Sequence, residues 1–188
     1  DYARAVDPED SQAARSIERV IELGGQAVLT GIIDHIPDVA DPQFRRFLIQ
    51  RVVTALKGEP QLLTEGLRSM ESGRMRIRLE ALARMDNFVA RDQLTSLLEH
   101  PVAEVRAAAV ELIPSAHLRG VFKRLAQRLA DEPEETVRRG IIQRMDHERL
   151  PALGPLLRRM ATAESFHRRS EEEKRQVLAT LGRCGGPE

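Results

Sequence analysis

Cysteine is nearly absent from this chain: Cys184 stands alone among 188 residues. One thiol excludes an internal disulfide framework and fits a reducing compartment such as the cytoplasm. Neither sign of charge is in excess, because 29 basic residues balance 29 acidic ones. A general polyanion binder carries a large basic surplus, so nucleic acid and acidic membrane surfaces are disfavoured as partners. Long apolar runs are missing as well. The longest uncharged stretch, Leu23 to Ile33, is far short of the ~20 residues that a membrane helix needs. No signal-peptide pattern opens the chain, with Arg4 and Asp7 following Asp1 closely. A start without Met and a stop on the turn Gly185-Gly186-Pro187-Glu188 read as the ends of a segment cut from a longer protein. Only Lys57, Lys123 and Lys174 among the cations are lysine, a bias that fits a GC-rich genome rather than a function.

Apolar residues recur at helical spacing along almost the whole chain, and no stretch of β-branched residues alternates as a strand would. The spacing predicts helices over 10–23, 25–36, 42–57, 60–70, 73–85, 89–99, 102–113, 115–130, 133–145, 150–161 and 170–183. Asp41 before Pro42 supplies an N-cap acceptor followed by a residue that needs no partner for an N–H. Pro60, Pro101 and Pro133 also sit at helix starts, and Ser170 with Glu173 has the capping-box spacing. Pro155 predicts that its helix begins late or is kinked.

Helices this short are marginal alone, so stacking must stabilise them, and a stacked architecture leaves a repeat in the sequence. Phe44–Val52 (FRRFLIQRV), Ile77–Met85 (IRLEALARM), Val105–Ile113 (VRAAAVELI), Val137–Met145 (VRRGIIQRM) and, more weakly, Glu173–Leu181 (EKRQVLATL) align at starts 33, 28, 32 and 36 residues apart. The first, fifth, sixth and ninth places are apolar almost throughout and fall on one arc of a helix. The second place holds Arg45, Arg78, Arg106, Arg138 and Lys174. A cation there lies within the apolar arc and near the positive helix N-terminus, an unfavourable position that calls for a partner. These residues are expected to form a structural ladder of bidentate pairs and carbonyl contacts to neighbouring loops, with carboxylates available ahead of the copies at Asp41, Glu71, Glu104 and Asp131.

HPVAEVRAAAVELI (100–113) and DEPEETVRRGIIQRM (131–145) resemble HEAT repeats, in particular the bacterial HEAT-like type of the phycobilisome-lyase class. LGRCGG (181–186) is similar to the Leu-Gly ending of such a repeat. The resemblance implies an all-α, right-handed α-α superhelix of about five hairpins over 25–188, with residues 1–24 supplying an N-terminal capping or half-repeat helix. It implies binding or scaffolding on a concave face lined by second helices.

Chemistry leaves little trace. His35, His100, His117, His147 and His167 show no i, i+4 pair and no HExxH. Only His147-Glu148 matches the His-Glu pairs of the di-iron HEAT hydroxylases, which is too few for that identity. Cys184 has no base nearby in sequence, and no phosphate loop, dinucleotide fingerprint or nucleophile elbow occurs. No residue is assigned a catalytic, cofactor or metal role, and the chain is expected not to be an enzyme. The third and seventh places, which point away from the apolar arc, hold Arg46, Gln50, Leu79, Ala83, Ala107, Glu111, Arg139, Gln143, Arg175 and Ala179. Arg46, Gln50, Arg139 and Gln143 are expected to contact a protein partner, or another domain of the same polypeptide, around an apolar centre at Leu79 and Ala83. The alternative is a nucleic-acid module akin to HEAT-like DNA glycosylases, which the missing Trp and the balanced charge disfavour.

Overall fold

The structure, a computed structural model, describes residues 12–56 and 60–184. The expected helix start at residue 10, the helix end at Lys57 and the 185–188 turn lie outside the described residues. Among the described residues every regular element is a helix: α1 Gln12–His35, α2 Pro42–Ala55, α3 Gln61–Thr64, α4 Ser72–Arg84, α5 Phe88–Ser96, α6 Ala103–Leu112, α7 Ser115–Asp131, α8 Glu135–His147, α9 Leu153–Thr162 and α10 Glu171–Cys184, with short 3-10 turns at Ile36–Asp38, Leu67–Ser69, Leu97–Glu99 and Glu164–Arg168. None of these helices is long and apolar enough to cross a membrane. The chain divides within α5 into two compact units, Asp1–Leu94 and Thr95–Glu188.

In the first unit α4 is the centre. It packs against α1, α2 and α3 and buries Met75, Ile77, Leu79, Ala81 and Leu82. Asp41 caps α2 through the Gln43 amide at 2.8 Å, with Pro42 opening the helix as the sequence predicts. Glu71 caps α4 by accepting from the amides of Gly73 and Arg74, and those two bonds hold its carboxyl below the usual range. The expected single helix over 60–70 is instead interrupted: Glu65 is extended and Gly66 takes φ +69°, a conformation glycine adopts at little cost. The expected helices 10–23 and 25–36 join into α1 and meet at Gly25, whose φ +59° and ψ −156° break the helical path.

In the second unit the second helices of the hairpins lie side by side, α6 on α8 and α8 on α10. Helix α7 packs on α8 and on the 97–99 turn, while α9 packs on α10 and α8. Val105, Ala109 and Val110 of α6, Ile113 at its C-cap, and Val137, Ile141, Ile142 and Met145 of α8 are all buried. These are the first, fifth, sixth and ninth places of the two clearest copies. Pro155 becomes the third residue of α9, which starts late, at Leu153. Glu173 donates its amide to the Ser170 hydroxyl at 3.1 Å, but only half of the capping box forms, because the Glu173 carboxylate turns to arginines instead.

The Gly25 backbone lies in a region that is essentially closed to other residues. Gly25→Ala meets no atom within 4 Å, so its cost is conformational. Urea unfolding should show a loss of about 1–3 kcal/mol, whereas Gly31→Ala, on the same helix with equally open space, should be neutral or stabilising.

Candidate functional site

The second-place arginines are positioned by helix geometry. Side chains on an α-helix lean toward its N-terminus, and Arg45, Arg106 and Arg138 each occupy the fourth position of their helices. Their guanidinium groups therefore fold back over the helix start. Arg45 donates to the Val39 carbonyl at 2.6 Å, Arg106 to those of His100 and Pro101 at 2.7 and 3.0 Å, and Arg138 to those of Glu132 and Pro133 at 3.0 and 2.6 Å. Helix α4 begins three residues earlier relative to its repeat, so Arg78 reaches the Leu62 carbonyl at 2.6 Å instead.

Carboxylates complete three of these contacts, though they are not the four expected. Arg106 forms a bidentate pair with Glu132 at 2.7 and 2.6 Å, and Arg138 forms one with Glu173 at 2.8 and 2.6 Å. Arg78 bonds Asp34 at 2.8 Å. Asp41 and Glu71 are occupied as caps, and Asp131 accepts from Gln127 and lies on the exposed end of α7. Glu104, exposed on α6, is the partner of none of the arginines. Both bidentate acids are fully shielded from solvent at their side chains and each meets a second cation, Glu132 with Arg128 at 3.0 Å and Glu173 with Arg169 at 2.6 Å. Burial pushes both carboxyls upward; the paired guanidinium bonds and nearby positive charge outweigh it and hold them below the usual carboxylate range. The fifth copy breaks the series. Lys174 pairs within its own helix with Glu171 at 2.8 Å, and the buried contact at that level is made by Glu173, an acceptor in the place where other copies carry an apolar residue.

With these cations committed inside, the outward places form the remaining surface. Leu79, the expected apolar centre of that surface, is fully buried, because α4 is covered by α1, α2 and α3. Ala83 is half-buried, while Arg46 and Gln50 are exposed on α2. Arg139 is tied to α10: it donates to Glu172 at 2.6 Å and to the Gln176 amide oxygen at 3.2 Å, and its carbonyl accepts from Gln176 at 3.0 Å. Gln143 is exposed and lines a groove of roughly 460 Å³ between α6 and α8, together with Ala107, Val110, Glu111, Gly140, Arg144 and His147. The floor is made of small residues. A Cβ added at Gly140 would meet nothing within 4 Å. Arg144 is fixed at the rim by the Ile113 carbonyl at 2.8 Å and by Glu148 at 3.3 Å. Gly140, Gln143, Arg144 and His147 follow i, i+3, i+4, i+7, so carrying the repeat columns past the ninth place would have found His147.

Among the described residues no group of three or more His, Cys, Asp or Glu side chains is placed to hold a metal ion. Burial and the nearby Asp146 push the Cys184 thiol upward, which makes it a poorer nucleophile at neutral pH. No family model matches this sequence, and no curated protein aligns with it significantly.

Two outcomes test the arginine contacts. Arg138→Met leaves Glu173 buried with Arg169 as its remaining cation, and urea unfolding should show a loss of about 3–5 kcal/mol. Adding Glu173→Leu to Arg138→Met should restore a large part of that loss, since two apolar groups replace two charges; equal instability of the single and double variants would contradict the pairing. For pH, Glu132 and Glu173 have folded pKa values below their unfolded ones. Their stabilisation is complete above the unfolded carboxyl pKa and lost as pH falls through the folded value. The urea midpoint should therefore drop below about pH 4, and Glu173→Gln should flatten that drop.

Proposed function

We propose that this chain is a protein-binding module built as a HEAT-like α-solenoid, which holds another protein or another part of its own polypeptide and performs no reaction of its own. Five repeat copies at near-constant spacing support this reading, as does the side-by-side packing of α6, α8 and α10 in the second unit. The groove between α6 and α8 carries it. Small residues at Ala107 and Gly140 leave room for an incoming side chain, while Gln143, Glu111 and Arg144 surround that floor with polar groups. An apolar floor with a polar rim is the composition of a protein-binding surface. Residues fixed by helix packing lose little freedom on binding, which lowers the cost of association. The internal commitment of Arg78, Arg106 and Arg138 withdraws three cations from any polyanion, which supports a protein partner over nucleic acid.

Gly140→Leu tests the groove directly. The new side chain projects into open space, and replacing a mid-helix glycine adds up to about 1 kcal/mol of helix propensity, so the fold should be retained or strengthened. Proteins captured from a lysate by the unaltered chain should be lost with Gly140→Leu and with Gln143→Glu. Equal recovery by all three chains would discard the groove. Binding to duplex DNA that falls steeply with added salt would instead favour the nucleic-acid reading.

A further inference from the structure

Four polar contacts tie helix α10 and the preceding Ser170 to α8, and a fifth place on α8 is apolar. Glu135 accepts from the Ser170 hydroxyl at 2.6 Å; Arg138 pairs with Glu173; Arg139 pairs with Glu172 and bonds Gln176; Asp146 accepts from Arg183 at 2.6 Å; and Ile142 is completely buried. The repeat spacing of 36 residues carries these five places onto Glu171, Lys174, Arg175, Leu178 and Gly182 of α10. Four of the five keep their chemistry: an acid, two cations and an aliphatic residue in the same order. On α10, however, they form an open stripe. Glu171, Arg175, Leu178 and Gly182 are exposed and Lys174 is half-buried. Leu178 is 56% exposed where Ile142 is 0%. Ala179 widens the stripe beside it.

We infer that this side of α10 is a docking surface for one more amphipathic helix with an acidic first turn, seated in the register that α10 takes on α8. The occupant's chemistry follows from what α8 selects. A hydroxyl N-cap meets the acid at Glu171, two successive carboxylates meet Lys174 and Arg175, and an apolar side chain one turn further covers Leu178. The surface continues an interface that already runs from α6 to α8 to α10. A second folded copy of the chain does not fit the description, because its own 170–173 turn is already seated on α8. This inference does not depend on the α6–α8 groove.

The test uses the whole chain extended at its C-terminus by a duplicate of residues 148–184, which supplies a helix of the required kind. Leu178→Cys at the original position, with Cys184→Ser in both copies, places one thiol on the stripe. Maleimide labelling should be at least tenfold slower in the extended chain than in the unextended one. Lysine in place of the duplicate's counterparts of Glu172 and Glu173 should return the rate to that of the unextended chain. An unprotected thiol in the extended chain overturns the proposal whether or not the added residues become helical, because a hairpin of this size becomes stable only by docking. Protection that persists with the lysine-substituted duplicate overturns the acidic requirement. Concentration-dependent protection in the unextended chain assigns the face to self-association and overturns the stated occupant.

Discussion

Two buried guanidinium–carboxylate pairs, Arg106 with Glu132 and Arg138 with Glu173, set the register of the second unit. Each cation sits on one second helix, while Glu132 lies in the loop just before α8 and Glu173 in the first turn of α10, so the pair fixes both the neighbour and its position along the axis. Apolar packing alone is tolerant of sliding; a planar fork meeting two oxygens at 2.6–2.8 Å is not. Buried ion pairs add little net stability over well-packed apolar groups. Their contribution here is to alignment, and the cost of breaking one is that a charge is left without compensation. The spare donors of Arg106 and Arg138 satisfy loop carbonyls ahead of their own helices, so helix, preceding loop and following helix are joined at a single side chain.

The same arrangement separates what holds the fold from what stays on the surface. The second-place arginines turn inward and are consumed, and Lys174 alone departs from that pattern. Third- and seventh-place residues keep whatever exposure the neighbouring helices leave them, which differs between the units. On α8, Gln143 reaches the groove while Arg139 is drawn into the contact with α10. On α4, coverage by three helices leaves Leu79 none.

Helix content and most helix positions were legible in the sequence because apolar spacing, prolines and caps act locally. The arginine column was legible for a related reason: a cation recurring within an apolar arc demands a partner whatever surrounds it. The identity of that partner was not. Glu132 and Glu173 lie 26 and 35 residues beyond their cations, and no local rule distinguishes Glu132 from its neighbours Asp131, Glu134 and Glu135. The break at Glu65-Gly66 escaped because an isolated glycine inside a periodic stretch is often helical. Leu79 escaped because the helical wheel gives the direction of a side chain but not how many helices surround it. The groove floor at Ala107 and Gly140 depends on two helices lying together, which neither helix encodes by itself.

Each pair also has a direction along the chain: the arginine is synthesised first, and its acid follows 26 or 35 residues later. During translation each arginine therefore waits for its carboxylate until those later residues have been made. Until then its guanidinium has only the carbonyls of its own preceding loop as partners. During synthesis the two ion pairs can thus close only in chain order, Arg106 with Glu132 before Arg138 with Glu173.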